Sequence, residues 1–183
     1  MKNIIYQFFY IWILFCKIDT INGKDYIIKN NDEDLYNLVN LLDNINSLDD
    51  NETLELKFVD SIYDIDKFNL SDFLFINVCR NITFIGNSNG TIFDFSKRKQ
   101  SAFHLEKETN NEIYSFIKFE NIIFENHISD FYSIFNSTMN ESQYQLIIDN
   151  CIFRNSNKIF LLEYNFNKPA LNEHFIISDT IFQ

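Results

Sequence analysis

Short stretches in which isoleucine and phenylalanine alternate with polar residues recur along the second half of the chain. Three of them are near copies of one another: IKFENIIFEN at 117–126, LIIDNCIFRN at 146–155 and FIISDTIFQ at 175–183. Their first residues are 29 and 29 positions apart. The alternation predicts strands of three to five residues, and the Asn or Asp in the middle of each phrase predicts a bend between two strands.

Weaker copies of the phrase precede these three. The earliest pairs LELKF at 54–58 with IYDI at 62–65, and the next pairs ITFIGN at 82–87 with TIFDF at 91–95 after a short insertion. We align position 82 with 117, a spacing of 35, because the alternative spacing of 40 disrupts the order of strand, bend and strand. A third strand per repeat is predicted at 73–76, 102–105, 132–135 and 159–162.

Three short strands at a period near 29 residues are typical of a parallel β-helix, in which successive turns stack about 4.8 Å apart. We predict an all-β fold with four to five such turns. Upstream, residues 32–45 have apolar side chains at helical spacing and acidic residues in the first turn, which predicts an amphipathic helix. This helix is expected to cover the open amino-terminal strand edges, whereas the last repeat has no equivalent cover.

Charge and composition exclude several classes of function. The net charge is −11 and the pI about 4.6, which argues against nucleic-acid binding and against a polybasic membrane-surface protein, since both need clustered cations. Only 3 Gly are present, so a glycine-rich phosphate loop is not expected. The hydrophobic fraction of 46% is enough for one domain with a sizeable core.

The amino terminus resembles a secretory signal peptide, with Lys2 followed by the apolar run IIYQFFYIWILFC. An uncleaved membrane anchor is the alternative, although the run is shorter than the roughly 20 residues that span a bilayer. We therefore expect a signal peptide at 1–23, a lead-in with the helix at 24–53, and β-helix repeats at 54–183 that end within a repeat. The protein is expected to be secreted or to lie on the extracellular surface.

Glycosylation sequons agree with export, although Asn, Ser and Thr are abundant in this chain. The six candidate acceptors are Asn51, Asn69, Asn81, Asn89, Asn136 and Asn140. After signal cleavage the remaining cysteines are Cys79 and Cys151, which two turns of a β-helix would place too far apart for a disulfide. Two free thiols are predicted.

Equivalent positions of the repeats place polar side chains in columns. Asn121, Asn150 and Asp179 share one bend, where we predict a structural ladder of hydrogen-bonded side chains. Glu125 and Arg154 share a strand position and are expected to form an opposite-charge pair.

The most reactive-looking column contains two carboxylates, Glu120 and Asp149, with Ser178 at the third position. Paired carboxylates divide acid and base roles in glycosidases. We interpret this pair instead as two solvated side chains, with a loosely bound cation as the alternative. The three histidines share no column, so we predict no metal site and no nucleophilic triad. We also single out no catalytic residue and no cofactor.

The phrases NITFIGN at 81–87, GTIFDF at 90–95, NIIFEN at 121–126 and NCIFRN at 150–155 resemble those of right-handed parallel β-helix proteins of the pectin-lyase-like group. The resemblance covers residues 54–183. It implies a fold that is shared by pectate lyases, polygalacturonases and non-catalytic surface proteins. The aspartate, His-Gly, arginine and calcium-binding sets of the enzymes have no counterpart in this chain.

Our leading hypothesis from the sequence is a secreted, non-catalytic β-helix domain for adhesion or carbohydrate contact, with polysaccharides or cell-surface components as partners. One alternative is the amino-terminal fragment of a polysaccharide lyase or glycoside hydrolase whose catalytic turns are missing. Another is a structural domain that self-associates through its open carboxyl-terminal edge.

Overall fold

The protein is described by a computed structural model that covers residues 23–44, 53–68, 74–96, 102–107, 115–139, 144–164 and 175–183. The amino-terminal part contains β1 (Gly23–Ile28), α1 (Asp32–Asp43), β2 (Thr53–Phe58), β3 (Ile62–Asp64) and a 3-10 helix (Ile65–Phe68). It is followed by β4 (Leu74–Asn77), β5 (Ile82–Ile85), β6 (Thr91–Asp94), β7 (Phe103–Glu106), β8 (Ser115–Glu120) and β9 (Ile122–Glu125). The last strands are β10 (Phe135–Met139), β11 (Tyr144–Asp149), β12 (Ile152–Arg154), β13 (Phe160–Tyr164), β14 (Phe175–Ser178) and β15 (Ile181–Phe182).

These strands stack into three parallel sheets. Sheet A has the order β1-β2-β5-β8-β11-β14, sheet B the order β3-β6-β9-β12-β15, and sheet C the order β4-β7-β10-β13. Each full turn of the chain contributes one strand to each sheet. The predicted fold class is therefore confirmed: the described residues form a β-solenoid of about four turns, with one α-helix near the amino-terminal end.

The strand pairing confirms the repeat alignment. Position 117 pairs with 146 and 146 pairs with 175, as the two spacings of 29 require. Ile82 pairs with Ile117, which confirms the spacing of 35 over the alternative of 40. Thr91 pairs with Ile122, a spacing of 31, so the difference of 35 − 31 = 4 residues lies between β5 and β6. The insertion thus lengthens one bend and leaves the sheets intact.

The third strands lie close to their predicted positions except in one turn. The prediction of 132–135 is wrong in position, since β10 begins only at Phe135. The preceding loop is held by side-chain hydrogen bonds instead: Ser129 Oγ accepts the backbone N–H of Tyr132 at 3.1 Å. Phe131 and Tyr132 are exposed there, so aromatic content alone did not locate the strand.

The helix forms as predicted. The Asn31 side chain accepts the backbone N–H of Asp34 at 2.8 Å and so caps the first turn. Leu35, Leu38 and Leu42 are buried, and the helix contacts β4, the first strand of sheet C. The predicted stripe residue Ile45 lies outside the described residues. Strand β1, which precedes the helix and pairs with β2, was not predicted.

The interior is filled by phenylalanine side chains from all three sheets. Phe84 stacks on Phe119 with ring centroids 4.7 Å apart, and Phe124 stacks on Phe153 at the same distance. Phe135 of sheet C packs against Phe124 at 5.3 Å. In the described part of the chain, no helix has the length and apolar character that crossing a membrane requires.

Candidate functional site

The two carboxylates of the predicted column lie side by side on the outer face of sheet A. Asp149 pairs with Glu120 in one direction and with Ser178 in the other. The ammonium of Lys118 lies between them, with its Nζ 2.8 Å from Glu120 Oε2 and 2.8 Å from Asp149 Oδ2. The position at which we considered a bound cation is thus taken by a side chain of the same protein.

Hydrogen bonds determine the protonation of this cluster. Those from Lys118 and then from Ser178, whose Oγ lies 2.6 Å from Asp149 Oδ1, hold the pKa of Asp149 below its usual value. Burial opposes ionisation of Lys118, but its hydrogen bonds to Asp149 and Glu120 raise the pKa of that ammonium overall. A general acid needs a raised carboxyl pKa, and Asp149 has the opposite shift.

Lys118 was not singled out from the sequence. It lies two residues before Glu120, so in a strand the two side chains share a face. The alternation of side chains along a strand places Lys118 beside Glu120, and the 29-residue spacing places Asp149 next to both. Together these two patterns would have identified the ion pairs from the sequence.

The second predicted column occupies the bend between sheets A and B. Asn121, Asn150 and Asp179 all have left-handed backbone conformations, with φ of 58°, 48° and 46°. The Asn150 side-chain amide donates to Asn121 Oδ1 at 2.5 Å. Asn and Asp tolerate this conformation better than other residues with a Cβ, which explains why they recur at this bend.

A parallel column on the far side of sheet B was not predicted. Asn155 Nδ2 donates to Asn126 Oδ1 at 2.7 Å, and Asn126 Nδ2 donates to Asp94 Oδ1 at 3.1 Å. Asn126 and Asn155 are the last residues of two of the near-identical phrases, so the spacing of 29 contained this signal as well. Beside this column, Arg154 Nη2 lies 2.8 Å from Glu125 Oε2, which confirms the expected ion pair.

A groove of about 210 Å³, which we call the bend groove, runs along the first of these columns. One wall is the polar column of Asn121, Asn150 and Asp179. The other wall is a row of isoleucines on the outer face of sheet B, namely Ile123, Ile152 and Ile181. Residues 88–90 of the insertion close its amino-terminal end.

Two glycines allow the insertion to lie directly on the next turn. A Cβ on Gly86 would be 2.1 Å from the backbone oxygen of Asn121, so only glycine fits there. Gly90 has φ of +88°, in the region that favours glycine. Thr91 Oγ1 accepts the backbone N–H of Asn87 at 3.0 Å and is itself buried. The closed end of the groove is therefore built into the fold.

A larger groove of about 480 Å³ lies between β1 and α1. Its lining is mainly apolar and includes Tyr26, Ile28, Leu38 and Leu41. Asp34, Asn37 and Asn40 also line it, but they are not repeated from turn to turn, so the bend groove is the better match for a ligand with repeating units.

The described sequons differ in their surroundings. Asn81 Oδ1 accepts the backbone N–H of Phe116 at 3.2 Å, and Asn136 lies within β10 between His104 and Leu161 of the neighbouring strands. Asn89 is exposed at the closed end of the bend groove. The candidates Asn51, Asn69 and Asn140 lie outside the described residues, as does the predicted signal peptide up to residue 22.

The remaining reactive side chains do not converge. Cys79 and Cys151 are both free thiols, as predicted, and burial raises the pKa of Cys151 to about 11. His127 is fully buried with its Nδ1 3.3 Å from the Asn157 carbonyl oxygen, and His104 Nε2 lies 3.4 Å from a Glu106 carboxylate oxygen. Within the described ranges, no group of three or more His, Cys, Asp or Glu side chains is placed to hold a metal ion.

Comparison of the chain with protein-family models, with curated proteins and with solved structures finds no match. A β-solenoid by itself specifies no function, because one fold supports many unrelated activities. The function must therefore be inferred from the surfaces described above.

Proposed function

We propose that this chain is a secreted, non-catalytic β-solenoid related to the pectin-lyase-like group, and that it binds a neutral, extended polysaccharide along the bend groove. The observation behind this proposal is the regular pairing of a polar column with an isoleucine row, repeated once per turn. A polymer of similar units is the natural ligand for a surface whose contacts recur every 4.8 Å or so.

The chemistry of the two walls suits a sugar chain. Amide side chains such as that of Asn150 both donate and accept hydrogen bonds, as sugar hydroxyls do. The methyl groups of Ile123 and Ile152 offer an apolar surface to the C–H faces of the rings. Small-molecule binding sites typically combine an apolar lining with a few placed polar groups in this way.

Charge favours a neutral ligand. The polar wall contains one carboxylate, Asp179, and the whole chain has a net charge of −11. A polyanion would be repelled by this field, whereas an uncharged polysaccharide would not. The ion-paired state of Glu120 and Asp149 supports a binding role over a catalytic one.

The test compares two matched variants in titrations with neutral cell-wall polysaccharides, selected first on a glycan array. Asn150 lies in the bend groove, whereas Asn155 has nearly the same φ (48° and 46°) and the same ladder role outside it. We expect Asn150→Ala to weaken binding about tenfold through lost hydrogen bonds. Asn155→Ala should leave the affinity unchanged. The proposal fails if no neutral polysaccharide binds at micromolar to millimolar levels, or if both variants bind equally.

Self-association is a second candidate, favoured by the exposure of the last turn. Ile177 and Phe182 are 42% and 51% exposed although they continue buried columns of the preceding turns, and Ile181, at the end of the outer isoleucine row, is 48% exposed. An open strand edge with apolar side chains is a site for pairing with another chain. Sedimentation over a wide concentration range would test this: a monomer at every concentration would end the idea, and an Ile181→Lys variant should dissociate any oligomer.

A further inference from the structure

We propose that Asn89 is N-glycosylated and that the inner sugars of its glycan lie in the bend groove, where they compete with an external polysaccharide. The competition rests on the proposed function. The modification also needs entry into the secretory pathway, which is part of the proposed function, whereas the position of the glycan rests on the geometry around Asn89.

Asn89 is well placed for modification. It lies in the four-residue insertion between β5 and β6, where Gly90 N–H donates to the Asn87 carbonyl oxygen at 2.9 Å. The backbone N–H of Asn89, and not its side-chain amide, contributes to this turn by donating to Asn87 Oδ1 at 3.0 Å. The side chain is exposed, so a glycan on Nδ2 needs no rearrangement of the loop.

The other two described sequons are less accessible. The side chain of Asn81 is half-buried and engaged with the backbone of Phe116. Asn136 is half-buried in the middle of a strand whose neighbours on both sides are also paired. Among the sequons that the structure describes, Asn89 is therefore the one we expect to be occupied in most molecules.

The point of attachment places the glycan in the groove. Asn89 is itself part of the closed end, and the column of Asn121, Asn150 and Asp179 leads away from it over three turns, or about 14 Å. Sugars that extend from Nδ2 along this column contact the amide wall first. A tethered ligand has an effective concentration in the millimolar range.

The modification step balances without any group from this protein other than the amide. Nδ2 of Asn89 forms a bond to C1 of the first sugar, which is transferred from a lipid diphosphate-linked oligosaccharide of the secretory pathway. The bond from C1 to the diphosphate oxygen breaks, and the lipid diphosphate leaves with its electron pair. Nδ2 loses one proton.

The experiment uses the full chain secreted from a eukaryotic host and the same chain made in bacteria without glycans. Peptide mass spectrometry measures occupancy at each sequon. Asn89→Gln is the test variant and Asn136→Gln the matched control; Thr91 is left intact because its hydroxyl holds the loop. We expect occupancy at Asn89, and about tenfold tighter polysaccharide binding by Asn89→Gln than by the glycosylated wild type, if the tethered sugars have an effective concentration of about 1 mM and bind the groove with a Kd near 0.1 mM.

A second readout keeps the inference separate from the proposed function. The side-chain amide resonances of Asn121 and Asn150 should shift between the glycosylated and bacterial proteins, and Asn89→Gln should abolish the shift. If the bacterial protein binds no polysaccharide but these resonances shift, the proposed function fails and the position of the glycan stands. An unmodified Asn89 or unshifted resonances would overturn the inference, as would equal affinities with and without the glycan for a polysaccharide that the bacterial protein binds.

Discussion

The middle turns and the last described turn share one sequence phrase but have very different burial. Phe124 and Phe153 are 0% and 1% exposed, whereas Phe182 in the same column is 51% exposed. Ile148 is fully buried and Ile177, one turn later, is 42% exposed. The strands pair with the same register throughout, so the difference does not arise from local conformation.

This comparison shows that each turn of a solenoid is buried by its neighbours. Each buried contact joins a side chain of one repeat to the equivalent side chain of the next repeat. The same holds for the polar columns, since Asn150 bonds the turn before it and Asp179 has no described turn beyond it. Stability should therefore depend on position along the solenoid more than on residue type.

Removing a ring from the middle stack should have the largest effect. Phe124 lies between Phe93 and Phe153 and is fully buried, so Phe124→Ala should lower the free energy of unfolding by about 3–5 kcal/mol. Phe182→Ala, at the half-exposed end of the same column, should cost about 1 kcal/mol or less. Urea unfolding of both variants measures the difference. Equal losses would contradict the role of the neighbouring turn.

The contact at the inserted bend should be the next most sensitive. Gly86→Ala places a Cβ against the Asn121 carbonyl group, and the shift that relieves this contact should cost about 1–3 kcal/mol. Ser88→Ala, in the exposed part of the same insertion, is the control and should be neutral. The unfolding midpoints of the two variants are compared with that of wild type. An unchanged midpoint for Gly86→Ala would refute the close packing of the loop.

The bend column should show a smaller, position-dependent effect. Asn150→Ala loses the amide contact to Asn121 and leaves a Cβ residue in a left-handed conformation, at a cost of about 1–2 kcal/mol. Asp179→Ala has the same backbone cost but removes no ladder contact like that of Asn150, since Asp179 has no described turn beyond it, so its effect should be milder. Asn150→Gly separates the two causes, because it removes the amide and relaxes the backbone. A larger loss for Asp179→Ala would contradict the directional ladder.

The pH dependence of the Lys118 cluster should be the smallest effect. The pKa of Asp149 is lowered in the folded state, so its contribution is present above the unfolded pKa of about 3.9 and is lost as pH falls through the folded value. At this partly exposed site it should amount to less than about 1 kcal/mol. Between pH 7 and pH 2, wild type should lose more stability than Asp149→Asn. Asp130→Asn, at an exposed position, should lose as much stability between these pH values as wild type does. If its loss is instead as small as that of Asp149→Asn, the ion pair is not the cause.

Much of the fold was predictable because it is periodic. The spacing of 29 between identical phrases specified the register of β8, β11 and β14, and the helical spacing of three leucines located α1. Predictions failed where the period is absent. Strand β1 precedes the helix and has no recognisable copy. The conformation of the loop before β10 is stabilised by hydrogen bonds to the Ser129 side chain, which the alternation of apolar and polar residues does not indicate.

The candidate site was predictable only in part for a related reason. The columns of Asn121 with Asn150 and of Glu120 with Asp149 follow from equal spacing. The groove does not follow from equal spacing. Its two walls come from two different columns, and its end comes from the insertion between β5 and β6. Spacing along one column says nothing about the distance between columns.

The sequence by itself determined which residues stack on which, since a repeat of constant length places equivalent side chains one above another. It thereby determined the β-solenoid, the phenylalanine interior and the polar ladder. Only the tertiary structure decided that Asn89 lies at the end of a groove and that Phe182 remains half-exposed. These outcomes depend on the angle of each bend and on the presence of a neighbouring turn, and periodicity along the chain contains neither.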